Sequence, residues 1–332
     1  METVSRPLLS VVSPVYGAAA IVPELVRRIC RAVETLTHDF EIVLVEDGSP
    51  DGSWDAIALE CGKDARVKGV RLSRNFGQHA AITAALAHAS GAHVVVMDCD
   101  LQDDPSFIPA LYAKAREGFD VVFARRRERR FSFWKNLTAH AFYVLFRWLS
   151  GVEYDPRIGA YSIISRQVVE AFLQFGDYRR GYVLVLSWLG FRHGYVDVEH
   201  AERHSGESSY SMWGLVRHAL TIALTYSDKP LHFSIYLGLL LSLLSFAVGG
   251  LVVIWYFTSR VGQMALGWTS LIVSLFLMGG LILMSLGVLG LYLGRVFEQV
   301  KRRPIFLVRE SENLTTSPRG SNASTQEFAR IS

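Results

Sequence analysis

Two carboxylates two residues apart, Asp98 and Asp100, carry the strongest chemical signal in the chain, within Val94-Val-Val-Met-Asp98-Cys-Asp100-Leu-Gln102-Asp-Asp104-Pro105. On an extended backbone, side chains two apart point to the same side, and Gln102 continues the row with a neutral oxygen. Two or three oxygens on one rim suit a hard divalent cation, Mg²⁺ or Mn²⁺, shared with a substrate's phosphates. A bare D-x-D is more often a solvated acidic turn, so its surroundings decide. Val94 to Met97 reads as a strand covered on both faces. Pro105 reads as the opening of the next helix, where a missing N–H costs nothing. Ligands of open α/β sheets bind at the carboxyl ends of such strands.

The elements that must position this rim alternate along the first 124 residues. Strands are predicted at Leu8–Tyr16, Phe40–Glu46, Val67–Leu72, Val94–Met97 and Asp120–Ala124. Between them, Ile21 to Leu36 has apolar residues at helical spacing (Ile21, Leu25, Ile29, Val33). A second helix begins near Trp54, capped by Asp51 or Ser53. Gly77–Ala89 and Pro105–Glu117 complete the set. The alternation predicts an α/β domain, a mainly parallel sheet with helices on both faces. The chain has 332 residues, room for one large domain plus extras. A formal charge of +3 is too small to argue for nucleic acid. Cys30, Cys61 and Cys99 have no C-x-x-C pairing, which argues against a zinc site or disulfide framework and fits a reducing cytosol. Met1 to Arg6 carries no apolar run, so no signal peptide is expected.

After Ala124 the texture changes. Arg125-Arg-Arg-Glu-Arg-Arg130 is a basic cluster on the edge where the acidic loop lies, placed to hold a diphosphate or a lipid phosphate. Phe131 to Leu149 is aromatic and amphipathic, and 210–230 has the apolar stripe of a helix lying in a membrane interface. Hydrophobic residues make up 50% of the chain and mean hydropathy is +0.24, an excess concentrated in 231–257 and 268–293. Each of these runs exceeds the roughly 20 residues that cross a hydrocarbon core. The link Thr258–Gly267 makes them a helical hairpin, with Gly290 and Gly294 as a weak helix-contact signal. Arg295, Lys301, Arg302 and Arg303 follow the second run, while the link holds only Arg260. Both ends are therefore placed in the cytoplasm, with 1–209 as the cytosolic domain and 294–308 as a basic cytosolic segment. Residues 309–332 are polar and are expected to be disordered.

Taken together, the motifs resemble those of the polyprenyl-phosphate glycosyltransferases, a membrane branch of the family 2 (GT-A) enzymes. The resemblance covers roughly residues 8 to 308. It rests on Ser13-Pro-Val-Tyr16, Val45-Glu-Asp-Gly-Ser-Pro-Asp-Gly-Ser53, Ser73-Arg-Asn-Phe-Gly77, Met97 to Pro105, Arg203-His-Ser-Gly-Glu-Ser-Ser-Tyr210 and Tyr292 to Pro304. It implies a Rossmann-like GT-A domain, a nucleotide sugar (UDP preferred), a polyprenyl phosphate, undecaprenyl phosphate first, and the cytoplasmic membrane as home. By the same resemblance, Pro14, Tyr16, Glu46 and Asp47 line the nucleotide's base and ribose, and Asp98 contacts the nucleotide side. Asp100 and Gln102 hold the metal on the diphosphate. Arg203 and Ser208 match a loop that closes over the phosphates, and Arg125 and Arg126 lie near the lipid phosphate. The implied reaction is a single displacement with inversion, with Asp98, Asp100 and Arg203 as its catalytic residues.

Two departures stand out. Where many relatives have Gly-Asp/Asn-Phe-Arg, this chain has Gly159-Ala160-Tyr161-Ser162, and Ser209 replaces a lysine. An altered sugar pocket is the expectation, with Arg157 or Arg166 replacing the lost charge. The rivals are a non-catalytic membrane scaffold and a processive polysaccharide synthase. The latter's Gln-x-x-Arg-Trp helix has no match, since Val144 precedes Arg147-Trp148. The residues leave open the sugar, the prenyl length, a homo-oligomer and a flippase partner.

Overall fold

Val11, Val12, Ile42, Val43, Val94 and Val95 are fully removed from solvent, and the strands that carry them form the middle of one sheet. The computed structural model describes residues 7–126, 155, 157–175, 181–198, 229–258 and 268–314. Strands β1 (Leu9–Val15), β2 (Phe40–Glu46), β3 (Val67–Leu72) and β4 (His93–Val96) run parallel in the order β3-β2-β1-β4. Val11 sits opposite Ile42 on one side and Val95 on the other. Every residue of β1 and β2 is buried, as helices on both faces require.

Helices α1 (Val22–Val33), α2 (Ser53–Lys63), α3 (Gln78–His88) and α4 (Ile108–Ala115) connect these strands and lead on from β4. The period-2 alternation of the strands divides their side chains between two cores. Val11, Ile42 and Leu44 face Leu25 and Ile29 of α1 and Leu111 of α4. Val12, Val43 and Val45 face Ile82 and Leu86 of α3. All four strands, and the four helices after them, fall within a few residues of their predicted positions. A 3-10 turn at Pro105–Phe107 takes the first part of the last helix.

Beyond β5 (Val121–Arg126) the sheet departs from expectation. Strand β6 (Ile158–Ser165) inserts antiparallel between β4 and β5, followed by α5 (Arg166–Gln174), α6 (Tyr182–Trp188) and β7 (His193–Val198), which runs parallel to β5. The local pattern hid these strands. β6 interrupts its apolar run with Gly159 and Ser162, and β7 is partly exposed along its length.

The expected disordered tail from residue 309 is also corrected at its start. Strand β8 (Val308–Glu312) pairs antiparallel with the outer edge of β3, Gly69 opposite Glu312. All five of its residues are exposed, so composition reads as a tail. What holds it is backbone pairing and anchors at either end. Ser73 N–H donates to the Leu307 carbonyl at 2.8 Å. The Asn313 side-chain amide donates to the carbonyls of Cys61 and Val67 at 2.8 and 2.9 Å.

The sheet and β8 belong to one compact unit, and the long helices 229–258 and 268–300 belong to another. Within the second, α7 (Lys229–Thr258) and α8 (Trp268–Val300) touch one another. α8 continues past the predicted end at residue 293. Among the described residues one stretch, Leu277–Val300, is long and apolar enough to cross a membrane. The aromatic segment 131–149 and the predicted interfacial helix, apart from its last two positions, lie outside the described residues.

At the amino end of the sheet, away from the acidic loop, Glu41 is buried and accepts from Ser10 Oγ at 2.5 Å, from the Ser90 amide at 2.5 Å and from Lys68 Nζ. Burial alone would raise its carboxyl, but the hydrogen bonds from Lys68, Ser10 and Ser90 outweigh it and hold Glu41 below the ordinary carboxylate range. A folded-state pKa below the unfolded one gives stability that is present above the unfolded value and is lost as pH falls through the folded value. Glu41→Ala leaves Lys68 without its partner and is expected to cost about 3–5 kcal/mol. In urea unfolding of the full chain in detergent, the variant should also lose part of the wild type's decline in stability below about pH 4. An unchanged decline would remove Glu41 from the acid response.

Candidate active site

The carboxyl ends of β1, β2 and β4 open into a cleft of ≈ 290 Å³. Pro14, Val15 and Tyr16 line it from the end of β1, and Asp47 from the residue after β2. Asn75, Gly77 and Gln78 contribute from the turn into α3, and Asp98, Cys99 and Asp100 from the loop after β4. Pro14, Tyr16, Asp47, Asp98 and Asp100, named from sequence, are thus brought together. Asn75, Gly77 and Gln78 have no role in the sequence reading, although the Ser73-Arg-Asn-Phe-Gly77 run holds the first two and Gln78 follows it directly. Tyr16 is 53% exposed, so its ring is available to stack on a planar ligand.

Asp47 is a clamp. Its Oδ1 accepts from the Phe76 amide at 2.7 Å and its Oδ2 from the Gly77 amide at 2.9 Å. Burial pushes its carboxyl up, and those two amides oppose the shift. Gly48 follows with φ +64, and a Cβ there would lie 2.3 Å from the Asn75 nitrogen. Glu46 stands behind the cleft and does not line it. It is 1% exposed, accepts from the Ser49 amide, and lies 3.4 Å from Arg71, which reaches Glu310 of β8 at the same distance. The residue at the N-cap position of α2 is Gly52, with no side-chain bond, and Asp51 takes the N–H of the first helical residue, Ser53, at 3.2 Å. Asp51 and Ser53 also hold the β1–α1 loop, accepting from the amides of Ala19 and Ala18 at 3.1 and 3.0 Å.

The acidic loop reaches the cleft by a different route from the one predicted. β4 ends at Val96, so Asp98 and Asp100 sit on a turn, with Leu101 at φ 60, and strand alternation does not align them. The turn is built by its own carboxylates. The Asp98 amide donates to Asp103 at 3.2 Å, the Gln102 amide to Asp100 at 3.0 Å, and the Ser106 amide to Asp104 at 2.9 Å. Gln102 is not among the residues lining the cleft. Tyr161 of β6 supports the loop from below, its hydroxyl donating to the Asp104 carbonyl at 2.9 Å.

Charge is crowded here. Burial, then the Asp100 charge, raise the Asp98 carboxyl, against a hydrogen bond from Gln78 and the attraction of Arg126. Asp103, overlooked among its acidic neighbours in the sequence, is pushed up to about 6 by burial and by Asp98. A divalent cation at Asp98 and Asp100 would relieve that repulsion, so the donor set fits one. Among the described residues no group of three or more His, Cys, Asp or Glu forms a metal cage, so the rest of the coordination would come from phosphate and water. Burial pushes the Cys99 thiol up to about 11, which leaves it an unreactive wall residue.

Of the basic pair, Arg125 is taken up by β7, donating to Asp197 at 2.7 Å and lying over the Tyr195 ring. Arg126 is exposed and near enough to lower the carboxyls of both Asp98 and Asp103. Arg203, Ser208 and Ser209 lie outside the described residues.

The Ser162 departure is absorbed in the core, and Ala160 is partly buried against it. Ser162 is fully buried, its hydroxyl 2.9 Å from that of Tyr182. Of the two expected replacements for the lost charge, Arg166 lies away from the cleft, donating to the Gly91 carbonyl at 2.9 and 2.5 Å at the opposite end of β4. Arg157 is paired with Asp155 at 2.8 Å.

The sequence profile described as glycosyl transferase family 2 matches residues 10–172. An uncharacterized glycosyltransferase of Synechocystis is 36% identical over 312 residues, 93% of this chain and 97% of that protein. The bactoprenol glucosyl transferase of Shigella phage SfII is 34% identical over 304 residues, 91% and 98% of the two chains. Among solved structures, a mannosyltransferase from Pyrobaculum calidifontis in complex with GDP-Man and Mn²⁺ aligns over 90% of this chain and 88% of that one, with 17% identity and a TM-score of 0.47.

Proposed function

The chain belongs to glycosyl transferase family 2, and from that membership we propose that it transfers a sugar from a nucleoside-diphosphate sugar to a polyprenyl phosphate, inverting the anomeric centre. Its near full-length similarity to bactoprenol glucosyl transferases carries the choice of acceptor. Pro14 and Tyr16 flank the base, and Asp47 holds the wall on which the nucleotide rests. A divalent cation, Mg²⁺ or Mn²⁺, held by Asp98 and Asp100 would neutralise charge on the departing diphosphate.

An oxygen of the lipid phosphate forms the new bond to the anomeric carbon as the bond to the donor's β-phosphate breaks, and the electron pair leaves with the nucleoside diphosphate. Arg126 faces the acidic loop and adds a fixed positive charge where that negative charge grows. A phosphate monoester, with a second pKa near 6, is already largely dianionic at neutral pH. The chain therefore needs to position the acceptor more than to deprotonate it.

Exposed apolar residues along both long helices, such as Leu243 at 61% and Leu283 at 71%, favour lipid as their surroundings. Lys301, Arg302 and Arg303 directly after α8 favour a cytoplasmic end there. α7 and α8 then form a two-span anchor in the cytoplasmic membrane, with the sheet domain and both termini inside. A flippase would be needed to carry the product to the other face.

The test is a transfer assay on the purified full chain in detergent with undecaprenyl phosphate and Mn²⁺. Labelled UDP-glucose is the first donor and a panel of nucleotide sugars follows. Label entering the lipid fraction as one β-linked sugar from an α-linked donor is the expected result. An α-linked product refutes inversion, a polymer points to a processive synthase, and no transfer from any donor points to a scaffold.

A further inference from the structure

Gln78 is exposed at the first position of α3 and lines the cleft. Its side-chain nitrogen donates to Asp98 Oδ1 at 2.6 Å. An ionised carboxylate only accepts, which assigns the nitrogen, and not the oxygen, of the amide to this contact. The backbone that delivers Gln78 is itself fixed. Gly77, immediately before it, has φ +95, and its amide and that of Phe76 are gripped by Asp47. Asp98 has few other restraints. Its own carboxylate torsion is intrinsically soft, and among the described residues its Oδ2 accepts no hydrogen bond.

We propose that Gln78 is a positioning residue that holds Asp98 by one carboxylate oxygen, so that the other is presented to the nucleoside diphosphate and its cation. The proposal rests on the nucleotide-sugar reading of the cleft. A carboxylate already turned toward its ligand loses less freedom on binding than one that must be caught. The neutral amide does this without adding charge to a loop that already carries several carboxylates.

The experiment is calorimetric binding of UDP, GDP and dTDP, each with Mn²⁺, to the full chain in detergent at pH 8. Wild type is compared with Gln78→Leu, which removes the donor, and Gln78→Glu, which keeps the length but replaces the donor with a second carboxylate. Loss of a hydrogen bond to a charged group predicts a Kd weakened roughly tenfold or more in Gln78→Leu, and a larger loss in Gln78→Glu. In the transfer assay, KM for the nucleotide sugar should rise while KM for undecaprenyl phosphate stays within twofold, a split that general loosening of the fold would not produce. Unchanged nucleotide binding in Gln78→Leu overturns the proposal, as does Gln78→Glu binding as tightly as wild type. Failure of wild type to bind any of the three nucleotides overturns the nucleotide reading of the cleft as well, which separates the two failures.

Discussion

Asp100→Ala lowers sugar transfer to undecaprenyl phosphate by roughly a hundredfold to a thousandfold, the range seen when one preorganised stabilising group is removed. Asp100 is exposed, lines the cleft, and contributes to the turn through the Gln102 amide at 3.0 Å. Its loss should therefore cost at most about 1 kcal/mol of stability. Thermal unfolding then stays near wild type while catalysis collapses, and that separation makes the result interpretable. Chelation of divalent cations with EDTA should bring the wild type down to the same floor and have little further effect on the variant. Activity within threefold of wild type at saturating Mn²⁺ would remove Asp100 from the reaction. A parallel loss of folding would show that the residue serves the loop and not the substrate.

Gly48→Ala is the corresponding test of the scaffold beneath the cleft. The glycine adopts φ +64, and an added Cβ would meet the Asn75 nitrogen at 2.3 Å and the Arg74 carbonyl carbon at 2.5 Å. Both are backbone atoms of the turn that Asp47 grips through Phe76 and Gly77, so relief of the clash must displace the wall that carries Asn75 and Gln78. The expected cost is about 3–5 kcal/mol, from left-handed strain plus a broken hydrogen-bonded turn. Gly17 supplies the control. It has nearly the same φ, +63, but nothing within 4 Å of its would-be Cβ. Gly17→Ala should cost only the intrinsic strain, about 1–2 kcal/mol. Equal unfolding temperatures for the two variants would show that the turn yields, and that Asp47 does not hold the wall rigidly.

The acidic loop shows where sequence reasoning reached the site and where it stopped. Asp98 and Asp100 were legible as a pair because carboxylates at close spacing after a buried strand are a chemical pattern in themselves. The geometry inferred for them was not, because β4 ends at Val96, two residues before Asp98, and the loop folds around Asp103. Adjacent Arg125 and Arg126 look equivalent in the sequence. In the fold, Asp197, 72 positions from Arg125, takes one of them and leaves the other beside the acidic loop. Glu46 and Asp47 read as one binding pair, yet Glu46, the last residue of β2, is buried beside its β3 neighbour Arg71, and Asp47, just past the strand, lines the cleft.

The sequence by itself determined the alternating strands and helices of the first 124 residues, the acidic rim and the two long apolar helices. Each of these is written in residues close together along the chain, where periodicity, turn chemistry and apolar length act directly. Only the tertiary structure decided that β6 enters antiparallel, that the polar segment after α8 returns as β8, and which carboxylates and arginines face the cleft. Those outcomes depend on partners remote in sequence, such as Asn313 with Cys61, 252 positions away. Backbone pairing at a sheet edge leaves little trace in side-chain pattern, because its hydrogen bonds belong to groups that nearly every residue carries.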